Sequence, residues 1–376
     1  MSSFLNLGEF LSSAKRLVVK IGTSVLIDAD HARVTRQRVE AIASEVAALW
    51  RERMEVVVVT SGAIGVGMGI LNLKKRPAEL AKLQAAAATG QGRLMQWYTA
   101  HFEKEGLHAA QILLTREDLE NHRRYLNAKA TLLTLLGARV VPIINENDTV
   151  SVEEIRYGDN DILSAQVATL VDADLLALLS DVDRFKTPDG FQTIITEITS
   201  GLEAAARGTT KAVSTGGMKT KLQAAKIAMA SGIPMVLLNG RSANPLTRPF
   251  IQKEFLGTWF VPKKGSGLKG KQRWLGLTGK PKGLLFVDSG AREALASRRL
   301  SLLASGIHAL EGNFRPGDLV SVAEINRDQE FARGIVSYSS AELEKIKGLK
   351  SNAIQALLGR QAQEVIHRDS MVILRQ

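Results

Sequence analysis

Arg139-Val-Val-Pro-Ile-Ile-Asn-Glu-Asn-Asp148 is the stretch on which the reading of this chain turns. An apolar run with the content of a buried strand ends abruptly in four acid or amide side chains. Shortly after it, Gly158-Asp-Asn-Asp161 opens an apolar-periodic stretch from Ile162 to Val171 that predicts a helix. Polar residues at a strand end and at a helix start occupy the places where α/β enzymes hold their ligands. In a chain of net charge +11 such a cluster adds nothing to solubility. It suits an ammonium group, Mg²⁺ or catalytic lysines.

Short apolar strands alternate with helical patterns on both sides of this stretch. Residues 16–22 and 55–60 read as buried parallel strands, and Val39, Ile42, Ala43, Val46 and Leu49 recur at helical spacing between them. Further strands are expected at 108–114, 140–144, 174–179 and 234–238, and helices at 78–105, 124–136, 161–171 and 217–231. Repeated βα units predict a three-layer αβα sandwich around a mainly parallel sheet. Residues 149–157 alternate apolar and polar and are expected to form a small hairpin beside the polar cluster. The pattern changes after residue 260. Lys263-Lys-Gly-Ser-Gly-Leu-Lys-Gly-Lys271 has the composition of a linker. Beyond it, short strands at 283–288, 319–324 and 331–338 and the turn Arg315-Pro-Gly-Asp318 predict a small β-barrel with one or two helices. The expected domains are therefore 1–262 and 281–376, joined by 263–280.

The bulk numbers exclude several classes of protein. A length of 376 residues favours two cores, and 45% hydrophobic with 23% charged residues is a soluble globular composition. No apolar run approaches the roughly 18 residues of a membrane span. Residues 1–15 lack the pattern of a signal peptide. The chain has no cysteine, which removes disulfides, thiolate metal sites and thiol nucleophiles and agrees with a cytoplasmic location. The six histidines, His31, His101, His108, His122, His308 and His367, show no metal-ligand spacing, and no protein-held metal is expected. Charge is uneven. Residues 261–376 hold 19 Lys+Arg against 11 Asp+Glu, so this third carries +8 of the excess and hints at a polyanionic partner.

Three glycine-rich turns carry the remaining chemistry. Lys20 closes the first strand and is followed by Ile21-Gly22-Thr23-Ser24, a strand-end lysine beside exposed amides that suits a phosphate. The second strand runs into Thr60-Ser-Gly-Ala-Ile-Gly65, followed by Gly67 and Gly69. Glycines there allow either a ligand or a neighbouring element to approach the backbone. The third turn, Thr215-Gly-Gly-Met-Lys-Thr-Lys221, opens a helix with amides and two lysines suited to nucleotide phosphates. It is no P-loop, and the one near miss, Gly265 to Lys271, ends in Gln272 where a Ser or Thr is required. Phosphate-grade lysines with an acid/amide cluster and no histidine or cysteine fit phosphoryl transfer to an acceptor that is already ionised. A carboxylate is such an acceptor.

These motifs, Val18-Val-Lys-Ile-Gly-Thr-Ser24, Val59-Thr-Ser-Gly-Ala63, Ile144-Asn-Glu-Asn-Asp148, Gly158-Asp-Asn-Asp161 and Thr215 to Lys221, resemble the amino-acid kinase family in order and register over residues 16 to about 260. The resemblance is strongest to members that phosphorylate the γ-carboxylate of L-glutamate with ATP, the opening step of proline synthesis. Gly312-Asn-Phe-Arg-Pro-Gly-Asp-Leu-Val-Ser-Val322 followed by Ala332-Arg-Gly334 resembles the core of a PUA domain, a module often carried by bacterial members at this place. The resemblance implies that Lys20, Lys221 and Asp161 are catalytic, with Asp161 orienting both ammonium groups. It implies glutamate binding by Ser61, Asp148 and Asn160, with Asp148 meeting the α-ammonium. ATP, accompanied by Mg²⁺, falls to Lys20, Ser180, Asp181, Thr215, Gly216, Gly217, Met218, Lys219, Thr220 and Lys221. Arg184-Phe-Lys186 departs from the Gly-Leu-Tyr-like stretch usual there. Family members are commonly homo-oligomers inhibited by proline, and both properties are implied here. Two alternatives stay open: a relative acting on N-acetylglutamate or aspartate, and an RNA-binding protein that works through its PUA-like tail.

Overall fold

The computed structural model describes residues 11–374 apart from 12, 29–32, 151–159, 188–189, 208–216, 264–271, 273 and 326. The chain divides into two compact units. One comprises Met1–Asp118 with Tyr125–Gly267, the other Leu119–Arg124 with Leu268–Gln376.

The first unit is built on β1 (Arg16–Ile21), α1 (Arg36–Arg51), β2 (Glu55–Thr60), α2 (Ala63–Ile70), α3 (Leu80–Lys104), β3 (His108–Leu114), α4 (His122–Gly137, from Tyr125 onward), β4 (Val140–Glu146), α5 (Asn160–Leu170) and β5 (Leu175–Ser180). It continues through β6 (Phe185–Thr187), β7 (Gly190–Gln192), β8 (Ile194–Ile195), α6 (Ser200–Arg207), α7 (Met218–Ala230), β9 (Met235–Asn239) and β10 (Thr258–Phe260). Eight strands form one sheet in the order β3-β4-β2-β1-β5-β9-β10-β8. Every pairing from β3 across to β9 is parallel, and β10 alone pairs antiparallel, with β9. The run Glu55-Val-Val-Val-Val-Thr60 shows why the middle of the sheet forms here. Four β-branched side chains, stiff at χ1, suit the pleat, and all four are fully buried. Helices α1, α2 and α3 pack together, while α5 and α7 pack on each other with α5 against β1, β2, β4 and β5. Strand order reverses around β1, with β2 on one flank and β5 on the other. The carboxyl ends of β1, β2, β4 and β5 therefore open at one edge around a topological switch point, the usual place for a ligand in such sheets.

The differences from expectation are short shifts, missed short strands in the first unit and, in the second, two unexpected strands at 307–312 and 366–373 and three helices where one or two were expected. β5 and β9 each begin and end one residue later than read, and β4 extends two residues further, so Asn145 and Glu146 are still in the strand. β8, β10 and the β6–β7 hairpin are too short to carry a periodic signal. The hairpin expected over 149–157 lies largely outside the described residues. Among the described residues, no helix is long and apolar enough to cross a membrane.

The second unit holds β11 (Gly283–Val287), α8 (Ser289–Ala296), β12 (Ile307–Gly312), β13 (Leu319–Glu324), β14 (Arg327–Val336), α9 (Ser340–Ile346), α10 (Ser351–Leu358) and β15 (Ile366–Ile373). Its sheet runs β12-β11-β13-β14-β15, with only β11 and β13 parallel. Its core gathers Leu285, Phe314, Val322, Tyr338, Leu343 and Ile366 around this sheet. A capping box between Ser339 and Glu342 starts α9. Within this unit Trp274, buried, donates from Nε1 to the Leu119 carbonyl at 2.9 Å.

Candidate active site

Lys20 is the penultimate residue of β1, in register with Val59 on one side and Leu178 on the other, at the centre of the sheet edge. Asp161 stands in the first turn of α5, fully buried. Lys221 lies in the first turn of α7. The three side chains meet: Lys20 Nζ is 2.6 Å from Asp161 Oδ1 and Lys221 Nζ is 3.2 Å from Asp161 Oδ2. Thr220 Oγ1 also donates to Asp161 Oδ2, at 2.7 Å. Burial opposes ionisation of Asp161, but the two ammonium groups and the Lys20 and Thr220 hydrogen bonds prevail and hold its pKa at about 2. For Lys20 burial prevails instead. Burial and the neighbouring Lys221 lower its pKa, against the attraction of Asp161. Two cations thus share one anion in a dry place, an arrangement that keeps net positive charge available to an incoming anion.

Two helix starts face the same sheet edge. Gly62, at φ +104°, turns the chain from β2 into α2 in a conformation that favours glycine, and no side chain caps the helix that follows. Gly217 starts α7, also without a side-chain cap. The first amides of both helices lack the usual capping partner and suit anionic groups. Gly67 and Gly90 serve a different purpose from ligand access. A Cβ on Gly67 would stand 1.8 Å from the Ala86 carbonyl oxygen, and one on Gly90 1.9 Å from that of Ala63. These glycines let α2 and α3 touch backbone to backbone, which decides for close packing of elements, here helix on helix, over ligand approach at Gly67.

The acid and amide residues divide into two groups. Asn160 is the first residue of α5, and its Nδ2 donates to the Thr60 carbonyl at 2.9 Å, with Ser61 Oγ at 2.9 Å and Asn145 Oδ1 at 3.0 Å. Ser61 and Asn160 are thereby joined at the ends of β2 and β4. Asp148 follows β4 and faces Arg76 electrostatically. Burial raises its pKa to about 6, with Arg76 opposing. Ser180 ends β5, buried, beside Asp181. Gly217, Met218, Lys219 and Thr220 lie at the start of α7, with Lys219 exposed. Thr215 and Gly216 lie outside the described residues, as does Gly158-Asp159. Phe185 of the divergent Arg184-Phe-Lys186 stretch is fully buried, its amide donating to Thr258 Oγ1 at 2.9 Å, while Lys186 is exposed and lies over the Phe191 ring.

The model of the amino acid kinase family matches residues 15–239, and that of the PUA domain matches 283–358. The chain belongs to the amino acid kinase family. Among its relatives, this amino acid kinase is 45% identical over 367 residues to the glutamate 5-kinase of Caldanaerobacter subterraneus subsp. tengcongensis, covering 96% of this chain and 98% of the relative. The glutamate 5-kinases of Citrifermentans bemidjiense and Geobacter sp. (strain M21) are 45% and 46% identical over 374 residues, covering 97% of this chain and 99% of each relative. ATP is the phosphoryl donor that membership of this kinase group implies.

Several residues around this kinase site escaped the sequence reading. Gln91 and Tyr98 come from α3 and Arg76 from the segment between α2 and α3. Tyr98 Oη meets Thr60 Oγ1 at 3.0 Å in the core. The one available signal was Gly90-Gln91-Gly92, an amide flanked by glycines in an otherwise alanine-rich helix.

Proposed function

We propose that this protein transfers the γ-phosphoryl group of ATP to the γ-carboxylate of L-glutamate, giving L-glutamyl 5-phosphate and ADP, the first step of proline synthesis. The observation that carries the reading is the buried Lys20–Asp161–Lys221 triangle placed beside the Ser61–Asn160 pair at one sheet edge. A glutamate side chain has a pKa of about 4.3, so its carboxylate is a nucleophile at neutral pH and needs no base. Its oxygen attacks the γ-phosphorus. The bond from that phosphorus to the β,γ-bridging oxygen breaks, and the electron pair leaves with ADP. Lys20 and Lys221 hold the negative charge of the transferring group, and Asp161 fixes both ammonium groups in place.

Ser61 and Asn160 hold the glutamate, and Asp148 meets its α-ammonium, which an N-acylated substrate lacks. Ser180, Asp181 and the segment Thr215 to Lys221 hold ATP, with the uncapped amides at the start of α7 supporting its phosphates. Among the described residues, no group of three or more His, Asp or Glu gathers to hold a metal. Mg²⁺ would arrive on the nucleotide phosphates, its usual mode, and would supply further charge neutralisation there. Proline as feedback inhibitor, a homo-oligomeric state, a cytoplasmic location and RNA at the PUA unit belong to the same proposal; the +8 of residues 261–376 supports the last of these.

The test is ADP release with glutamate, N-acetylglutamate, aspartate and UMP offered as separate acceptors. Glutamate-dependent release alone is expected. Turnover with N-acetylglutamate or aspartate in place of glutamate would reassign the substrate, and turnover with none of the four would remove the kinase reading.

A further inference from the structure

Three side-chain amides meet below the Ser61–Asn160 pair: Gln91 from α3, Asn145 from β4 and Asn160 from α5. Their orientations follow from chemistry. The Glu146 backbone N–H can only donate, and it meets Asn145 Oδ1 at 2.9 Å, so that atom must be the oxygen. The Thr60 carbonyl can only accept, and it lies 2.9 Å from Asn160 Nδ2, so that atom must be the nitrogen. Asn160 Nδ2 also donates to Asn145 Oδ1 at 3.0 Å. Asn145 Nδ2 is then left to face Gln91, whose Oε1 accepts at 2.9 Å. Two backbone groups thus set all three amides, and Gln91 and Asn145 are both buried. Among the described residues, the relay leaves one buried atom without a partner at each end, Gln91 Nε2 and Asn160 Oδ1.

We propose that Gln91 is a positioning residue for the amino-acid substrate. Through Asn145 it steadies Asn160, which the Thr60 carbonyl orients with its oxygen, not its nitrogen, left for the substrate's ammonium group. This rests on the assignment of Asn160 to the substrate made above. A buried acceptor without a donor is unfavourable, and an ammonium group removes that penalty on binding. An Asn160 turned over would present two N–H groups instead and repel the same cation. Removing the Gln91 acceptor leaves Asn145 Nδ2 buried without a partner, so Asn145 shifts to satisfy it and draws Asn160 Nδ2, its hydrogen-bond partner, off position. The effect falls on ground-state binding of the amino acid, and not on ATP or the chemical step.

The experiment is steady-state kinetics of the full chain with glutamate and ATP varied separately. Gln91→Met is close in volume and lacks the acceptor. It is expected to raise KM for glutamate about tenfold, the scale of a lost buried hydrogen bond, with KM for ATP and kcat held within about twofold. Gln91→Glu keeps an acceptor oxygen and loses only the unpartnered NH₂ group, and burial favours its neutral form. It is expected to bring KM for glutamate back to within about threefold of wild type. Gln91→Met combined with Asn145→Ala is expected to bind glutamate no more weakly than Asn145→Ala alone, since both cut one link. Equal damage to both KM values, no change in either, or a Gln91→Glu as impaired as Gln91→Met would overturn the relay. Gln91→Leu replaces Gln91→Met if the latter loses its cooperative melt, and failure of both to fold would make Gln91 a folding residue and end the proposal. A wild type without glutamate-dependent ADP release fails the functional reading itself. An active wild type with indifferent Gln91 variants fails the relay alone.

Discussion

Lys221 is held 3.2 Å from a carboxylate that also has Lys20 at 2.6 Å, so one anion faces both ammonium groups. Such an ammonium group responds to charge that develops on a transferring phosphoryl. Lys221→Met is expected to lower kcat by about 10²-fold or more, the size of effect seen for lost transition-state donors, and Lys20→Met likewise. Single-turnover rates would check this, and a variant keeping more than half of wild-type kcat would remove the lysine from the chemical step. Asp161 adds a stability signature. Its folded pKa of about 2 lies below the ordinary 3.8, so the stabilisation is fully present above the ordinary value and is lost as pH falls through about 2.

Asp148 carries the opposite sign. Burial raises its pKa to about 6, so the free protein carries it increasingly protonated as pH falls below that value. A protonated carboxyl attracts an α-ammonium poorly. The affinity for glutamate, read as 1/KM across pH, is therefore expected to fall on the acid side of about pH 6 while KM for ATP stays flat. Asp148→Asn is expected to abolish that limb and to raise KM for glutamate at neutral pH. A limb unchanged in Asp148→Asn would assign it to another group. The residue types at Lys20, Asp161 and Asp148 were legible in the linear motifs. Their surroundings were not, because the environment of a carboxylate is made by segments far away in sequence: Arg76 for Asp148, and β1 and α7 for Asp161.

At the scale of elements, the contact between α2 and α3 is the tightest constraint near the site. Gly67 and Gly90 place two helix backbones closer than any side chain allows. Gly67→Ala forces its new methyl group against the Ala86 carbonyl, and an overpacked contact of this kind costs roughly 3 kcal/mol, at the upper end of the usual range. A drop in the thermal midpoint, with weakened glutamate binding in the material that folds, is the expected result. Gly69→Ala, where nothing lies within 4 Å of the added Cβ, is the matched control and is expected to melt like wild type. The helices themselves were readable from the sequence because apolar residues repeat at their period. The role of Gly67 was not, since a glycine reads alike whether it admits a ligand or another helix.

At the scale of the molecule, phosphate and acid motifs all precede residue 222, and the segment from 281 onward forms its own core. A chain ending near Lys264 is expected to fold and to phosphorylate glutamate, with oligomeric state or proline sensitivity open to change. Activity assays on material with a cooperative melt decide this, and a well-folded but inactive truncation would tie the chemistry to the second unit. The segment from about residue 275 is expected to bind RNA with a steep salt dependence if its basic excess is functional. Loss of binding between low and moderate salt is the readout.

What the sequence determined by itself was local and periodic. The βα alternation, the strand that ends at Asn145-Glu146-Asn147-Asp148 and the lysine-bearing turns follow from hydrophobic period and from residues whose chemistry leaves few uses. Tertiary structure decided what depends on distance between remote segments. It closed Lys20 and Lys221 on Asp161, joined Gln91 to Asn160 through Asn145, and pressed α2 against α3 at two glycines. The physical reason is that hydrophobic period reports which face of an element is buried, whereas pKa, amide orientation and close packing depend on which atoms lie opposite that face.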